Sequence, residues 1–172
     1  MDSKNRRMSL LDMLKTAGVP VTGTALAREL GVSRQVIVGD IAILRAGGAN
    51  IYATPQGYIL PDAMQHPAAI VATLACRHGW DKLFNELAII IDNGGKVLDV
   101  VVEHPVYGEM RANLMLSSRR ELSEFLRKLT DSGAEPLSIV TGGVHLHTIQ
   151  VPSEEVLQKI QQQLKEEEIL MK

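Results

Sequence analysis

The sequence predicts an α+β protein in two parts: three short helices closed by a β-hairpin over residues 1–61, then an antiparallel sheet packed by helices over residues 62–172. Three observations carry this. Helix-period apolar residues in the first sixty positions are punctuated by Gly18, Gly31 and Gly47. The second half alternates branched apolar runs with amphipathic segments around glycine turns. The length of 172 residues, with 45% hydrophobic and 22% charged side chains, suits two modest cores and excludes a largely disordered chain.

Residues 6–16 place Met8, Leu11 and Leu14 at helical spacing and end at Ala17-Gly18-Val19-Pro20. Thr22 or Thr24 caps a second helix that buries Leu26 and Leu30 and stops at Gly31. Ser33 then caps a third, in which Ile37, Ile41 and Leu44 recur on one face before Gly47-Gly48. Residues 51–53 and 58–60 are strand-like runs joined by the turn residues Thr54-Pro55-Gln56-Gly57. That order is a winged helix-turn-helix, whose third helix lies in the major groove of DNA. With Ile37, Ile41 and Leu44 inward, the outward face offers Arg34, Gln35, Val38 and Gly39, including side-chain types that read guanine and adenine. Ser33 and Thr24 are placed to hold phosphates, and Arg6, Arg7 and Lys15 to add salt-sensitive attraction. Residues 1–60 carry seven Lys/Arg against four Asp/Glu, whereas the remainder carries eleven against sixteen, so a cationic head precedes an acidic body.

After a linker at residues 61–67, a helix is expected from about residue 68 to 77. Residues 86–92 and 96–104 read as two strands joined by a hairpin at Asn93-Gly94-Gly95. Ser117 or Ser118 caps a helix through Leu129, residues 137–141 and 145–151 read as strands, and Ser153 caps a last helix that turns Val156, Leu157, Ile160 and Leu164 inward. His145 and His147, two apart on a strand, project from one face about 6–7 Å apart and can converge on one ion. Two ligands seldom hold a transition metal tightly, so His78 and Glu86 are candidate donors from neighbouring segments. Nitrogen and carboxylate ligands suit zinc, nickel, iron or manganese without selecting among them. His104 ends a strand whose inward face it shares with Leu98, Val100 and Val102. The one cysteine, Cys76, reads as a small buried hydrophobe.

The second half resembles the 3H domain family in Arg77-His78, Glu86-Leu87, the block VVEHPVYGE at residues 101–109 and the block LSIVTGGVHLHTI at residues 137–149. With the helix-turn-helix in front of it, the whole chain resembles the niacin-responsive repressors. The resemblance implies an HPr-like α+β fold, a homodimer, operator DNA as partner and nicotinate as co-repressor. It also implies a divalent metal held by His78, Glu86, His145 and His147, with His104 near the same pocket. At Gly39 the sequence departs from the longer polar or basic side chain that the resemblance implies. Nicotinate would complete the metal's open coordination while Tyr107, Arg111 or amides near Gly142 fix the rest. Two alternatives of different class are a metal-sensing repressor without organic effector and a metal-dependent hydrolase fused to a DNA-binding head, in which Glu103 or Glu109 would serve as base. No apolar run reaches the roughly 20 residues of a membrane span, and the expectation is a cytoplasmic protein that is not an enzyme.

Overall fold

The computed structural model describes residues 2–61 and 69–172, and the chain divides into two compact units, Met1–His66 and Pro67–Lys172. Apart from Pro61, the expected linker lies outside the described residues, as does Ala68. Among the described residues no helix is long and apolar enough to cross a membrane.

The first unit runs α1 (Ser3–Ala17), α2 (Gly23–Glu29), α3 (Arg34–Ala46), β1 (Tyr52–Thr54) and β2 (Gly57–Ile59). Each helix starts on a side-chain oxygen that takes up an orphan amide: Asp2 accepts from Asn5 N–H, Thr22 from Ala25 N–H and Ser33 from Val36 N–H. Thr22, not Thr24, is therefore the cap of α2. Leu10, Leu14, Leu26, Ile37 and Ile41 form the core, while Met8 is exposed, so α1 presents a face rotated from the one its spacing predicts. The core also admits a charge. Asp40, buried on α3, accepts from Arg6 Nε at 2.6 Å and lies 3.5 Å from Arg7 Nη1, which fastens the start of α1 to the middle of α3. The Arg6 hydrogen bond holds the Asp40 carboxyl below its usual range. Arg6 and Arg7 thus share an internal partner in Asp40.

The hairpin is tied to the helices through Val21, whose N–H and carbonyl exchange bonds with Tyr58 at 2.9 and 2.8 Å. Gly57 makes this approach possible. Its φ is +132°, and a Cβ there would overlap the Val21 carbonyl.

The second unit runs β3 (Ile70–Arg77), α4 (Trp80–Asp92), β4 (Lys96–His104), β5 (Gly108–Leu116), α5 (Arg119–Ser132), a 3₁₀ segment (Leu137–Thr141), β6 (Val144–Val151) and α6 (Glu154–Glu166). The strands pair antiparallel in the order β3-β6-β4-β5, with β6 and β4 inside the sheet. Leu74, Val97, Leu116, Ile149 and Val151 from the sheet meet Leu87, Ile90, Leu122, Ile160 and Leu164 from the three helices in one core.

Four sequence expectations are overturned here. The expected helix at 68–77 is strand β3, because Leu74 and Cys76 alternate with exposed Val71, Thr73, Ala75 and Arg77. The expected strand at 86–92 is the end of α4, where Leu83, Glu86, Leu87, Ile90 and Ile91 follow the helical period. Asn93-Gly94-Gly95 is consequently not a hairpin but a helix terminus: Gly95 N–H bonds Ile90 O and Gly94 N–H bonds Ile91 O, with Gly94 at φ +86°. The segment after His-Pro-Val-Tyr continues as β5, which sequence reading missed, and residues 137–141 are 3₁₀ rather than strand. The Ser118 and Ser153 caps are as expected, the former completed by Glu121 into a capping box.

Substituting Gly57→Ala should destabilise the first unit by about 2 kcal/mol or more. Denaturant unfolding of the variant reads this, and an unchanged midpoint would mean that the Val21 contact is dispensable.

Candidate metal centre and nucleic-acid interface

Three histidines from two distant stretches of the sequence meet at one carboxylate. His145 and His147 point inward from β6, Glu86 descends from α4, and His78 follows the last residue of β3. Glu86 is fully buried. His78 Nε2 lies 2.5 Å from Oε2, His145 Nε2 lies 2.9 Å from Oε1, and His147 Nε2 lies 3.3 Å from Oε2 without hydrogen-bond geometry. The structure therefore brings together all four residues singled out as donors, although Glu86 comes from a helix and not from the head of a strand.

The opposite nitrogen of every ring is held by the backbone. His78 Nδ1 faces Gly79 O at 2.7 Å, His145 Nδ1 faces Gly143 O at 2.8 Å and His147 Nδ1 faces Asp99 O at 2.7 Å. A carbonyl oxygen can only accept, so each Nδ1 carries the proton. In a neutral ring Nε2 then presents a lone pair to the carboxylate, which is repulsive. Two arrangements relieve this: a second proton on Nε2, or a cation taking the lone pairs of both partners. Carbonyl-anchored Nδ1–H with Nε2 turned to the ion is how metal-bound histidines are oriented. Neighbouring ligands at 2.0–2.2 Å from one ion lie roughly 3 Å apart, and the nitrogen-oxygen separations of 2.5–3.3 Å match that spacing. The residues fit a divalent cation.

Burial pushes the Glu86 carboxyl up, but the charge of His147 and the hydrogen bonds of His145 and His78 outweigh it and hold the group well below the usual carboxylate range. Burial likewise lowers His78 and His147, and Glu86 raises both above the ordinary imidazole value.

Local backbone explains the approach. Gly142 at φ +63° ends the 3₁₀ segment, and Gly143 at φ +97° runs so close to His78 that a Cβ would overlap the His78 carbonyl. Where β4 slips register between Val97 and Asp99, the Asp99 carbonyl holds His147 and its carboxylate accepts from Thr148 N–H at 3.0 Å. Asp99 was not foreseen, because a backbone oxygen leaves no mark in a sequence.

The three residues proposed for effector binding are not gathered at this cluster. His104 Nδ1 accepts from Val106 and Tyr107 N–H at 3.1 and 3.2 Å and so caps the β4–β5 turn. Tyr107 is 77% exposed at the tip of that hairpin, and Arg111 is paired with Asp99 and Glu109. Glu103 and Glu109 are exposed as well. His104 does line an open depression that also touches Val144 and His145. A separate cavity of about 180 Å³ borders His145 and His147 and is walled by Leu83, Leu87, Val100, Leu114, Phe125 and Leu129. Glu135 also lines it and accepts from Trp80 Nε1 at 2.8 Å.

In the first unit Arg34 and Gln35 stand exposed in the first turn of α3, Val38 is half-buried, Thr24 is exposed in the first turn of α2, and Ser33 is occupied as the α3 cap. Gly39 is exposed, and a Cβ there would meet nothing within 4 Å.

Comparison with known proteins gives consistent matches along the chain. Residues 71–172 match the 3H domain and residues 6–59 a helix-turn-helix domain. A probable transcription repressor NiaR of Thermotoga maritima is 43% identical over 98% of this chain and 94% of its own length. The transcription repressor NadR of Bacillus subtilis is 45% identical, with the same 98% and 94% coverage.

Two expectations follow. In chelated protein, the imidazolium contribution to stability is complete below the unfolded histidine value near pH 6.5 and is lost as pH rises through the raised folded values; the Glu86 contribution is present above about pH 4.3 and is lost on acidification. The melting temperature should accordingly fall from about pH 6 to about pH 8, and added zinc should raise it more at the higher pH; a flat profile in chelator contradicts the assignment. For Gly39→Lys, operator affinity measured by anisotropy should rise several-fold and the salt slope should steepen by about one. An unchanged slope would place position 39 away from phosphate.

Proposed function

The chain belongs to the 3H-domain family of transcription repressors, and on that premise we propose that it binds operator DNA as a homodimer under the joint control of a divalent cation and nicotinate. It is a regulator rather than an enzyme. The observation that carries the reading is the set of three carbonyl-anchored histidines whose free nitrogens converge on buried Glu86 beside an apolar cavity.

We assign the cation to His78, Glu86, His145 and His147. A cation bound there supplies a fixed positive charge with room for a ligand. Nicotinate is a small flat ring bearing a carboxylate. Leu87, Val100, Leu114 and Phe125 offer the ring an apolar wall, and Ser138 supplies a hydroxyl. Among the described residues no Lys or Arg lines this cavity, so an acid entering it meets positive charge only at the histidine cluster. This replaces the earlier placement of the effector against Tyr107 and Arg111. The cavity is also what favours an organic effector over a sensor of metal alone. In the head, Arg34 and Gln35 are assigned to base edges, Thr24, Ser33 and Val38 to the surrounding contacts, with two recognition helices about 34 Å apart in the dimer. The genes governed would be those of niacin uptake and NAD biosynthesis, in keeping with the niacin-responsive family.

Titrating operator DNA with chelated and metal-reloaded protein, each with and without nicotinate, tests the reading. Nicotinate should tighten operator binding only in the reloaded protein, His145→Ala should remove that response while basal binding persists, and operator should tighten nicotinate binding by the same factor. Nicotinate affinity that is equal with and without operator would overturn the proposal, and a response to metal alone would favour the sensor.

A further inference from the structure

The cluster has a soft donor as well as hard ones. Cys76 pairs directly with His145 across β3 and β6, so both side chains enter the same face of the sheet, and Cys76 is fully buried. Its Sγ, a Glu86 carboxylate oxygen and a His145 ring nitrogen all lie within 4.8 Å of one another. Buried cysteines elsewhere in proteins behave as small hydrophobes among aliphatic neighbours, whereas this one faces a carboxylate and an imidazole. An independent observation marks the same place as a ligand site: His147, 2% exposed, aims Nε2 into the cluster with no hydrogen-bond partner.

We propose that Cys76 is a further ligand of the cation held by Glu86 and His145, and that it gives the centre its preference for thiophilic ions; the proposal rests on the cation-binding reading above. Nitrogen and sulfur ligands on one ion are about 3.5 Å apart, and the three donor atoms, all within 4.8 Å of one another, reach that spacing through side-chain torsions. On loading, the S–H bond breaks as the sulfur–metal bond forms and the thiol proton leaves to solvent, together with any Nε2 proton that an imidazolium ligand sheds, and no electron is transferred. Thiolate and Glu86 together balance a divalent charge, and a thiolate ligand selects zinc or cobalt over manganese. The donor set is thus mixed, and the thiolate widens the preference for zinc and cobalt over manganese that a nitrogen-oxygen centre already has.

The test is cobalt(II) titration of the full chain followed by absorbance. Wild type should show both ligand-field bands and a near-ultraviolet thiolate-to-cobalt charge-transfer band. Cys76→Ser should keep the first, lose the second, and bind zinc about tenfold or more weakly with manganese affinity little changed. Cys76→Ala, checked by circular dichroism, guards against a folding defect. Stoichiometric cobalt with no charge-transfer band in wild type overturns the cysteine ligand alone; failure to bind cobalt at all overturns the cation reading beneath it. Because the wild-type spectrum decides, neither variant has to fold for the result to count.

Discussion

A carboxylate removed from water costs several kcal/mol unless fixed partners compensate it, and Glu86 is such a group, with its oxygens met by three imidazole nitrogens. The requirement reaches well beyond the side chain. Helix α4 must present Glu86 on the same face as Leu83, Leu87 and Ile90, which makes the helix amphipathic with one acid inside its apolar stripe. The chain after β3 must bring His78 against Gly143, which excludes any side chain at that glycine. Backbone oxygens of Gly79, Gly143 and Asp99 must be turned to the rings. Removing one histidine would leave the charge short of a partner, whereas removing the acid would leave three like rings crowded together.

Much of this was legible in the sequence, for a specific reason. His145 and His147 are two apart in a branched run, and period-two spacing places such a pair on one face whatever the sheet topology. The head was equally open to reading, because Thr22, Ser33 and Gly31 punctuate it with residues whose roles at helix ends are narrow. What failed, failed where local signals conflict with tertiary ones. Ala-Ile-Ile-Ile looks like a strand, yet burial on both flanks of α4 tolerates branched residues in a helix. Ala72, Leu74 and Ala75 look helical, yet pairing with β6 makes them strand. A helix over 68–77 offers no strand partner, so the pairing of Cys76 with His145 leaves no trace in that reading. Asp40 was hidden in the same way, since an acid inside an apolar ladder declares its partner only when α1 packs against α3.

The slip in β4 gives the site a connection to the outer surface. Asp99 holds His147 through its backbone carbonyl and Arg111 through its carboxylate, and Arg111 in turn reaches Glu109 on β5. Two faces of one sheet therefore share a residue. A shift of the His147 ring moves the same peptide that anchors an exposed ion pair, a physically contiguous link of the kind that coupling between sites requires. On the inner side, His145 and His147 border the apolar cavity, so what fills that cavity touches the same strand.

The central position of β6 has one last consequence, for the path by which the chain reaches its native pairing. Side chains alternate along a strand, so sliding β6 by one residue against β3 and β4 would carry His145, His147, Ile149 and Val151 together to the wrong side. Such a slip would expose apolar surface and also scatter the ligand set. Only one alignment of the three strands brings His145 and His147 to Glu86, so on the cation-binding proposal affinity for the ion would distinguish the correct pairing from its near neighbours. An ion taken up during assembly would act as an arbiter of strand registry, withdrawing misaligned sheets from competition by stabilising only the aligned one.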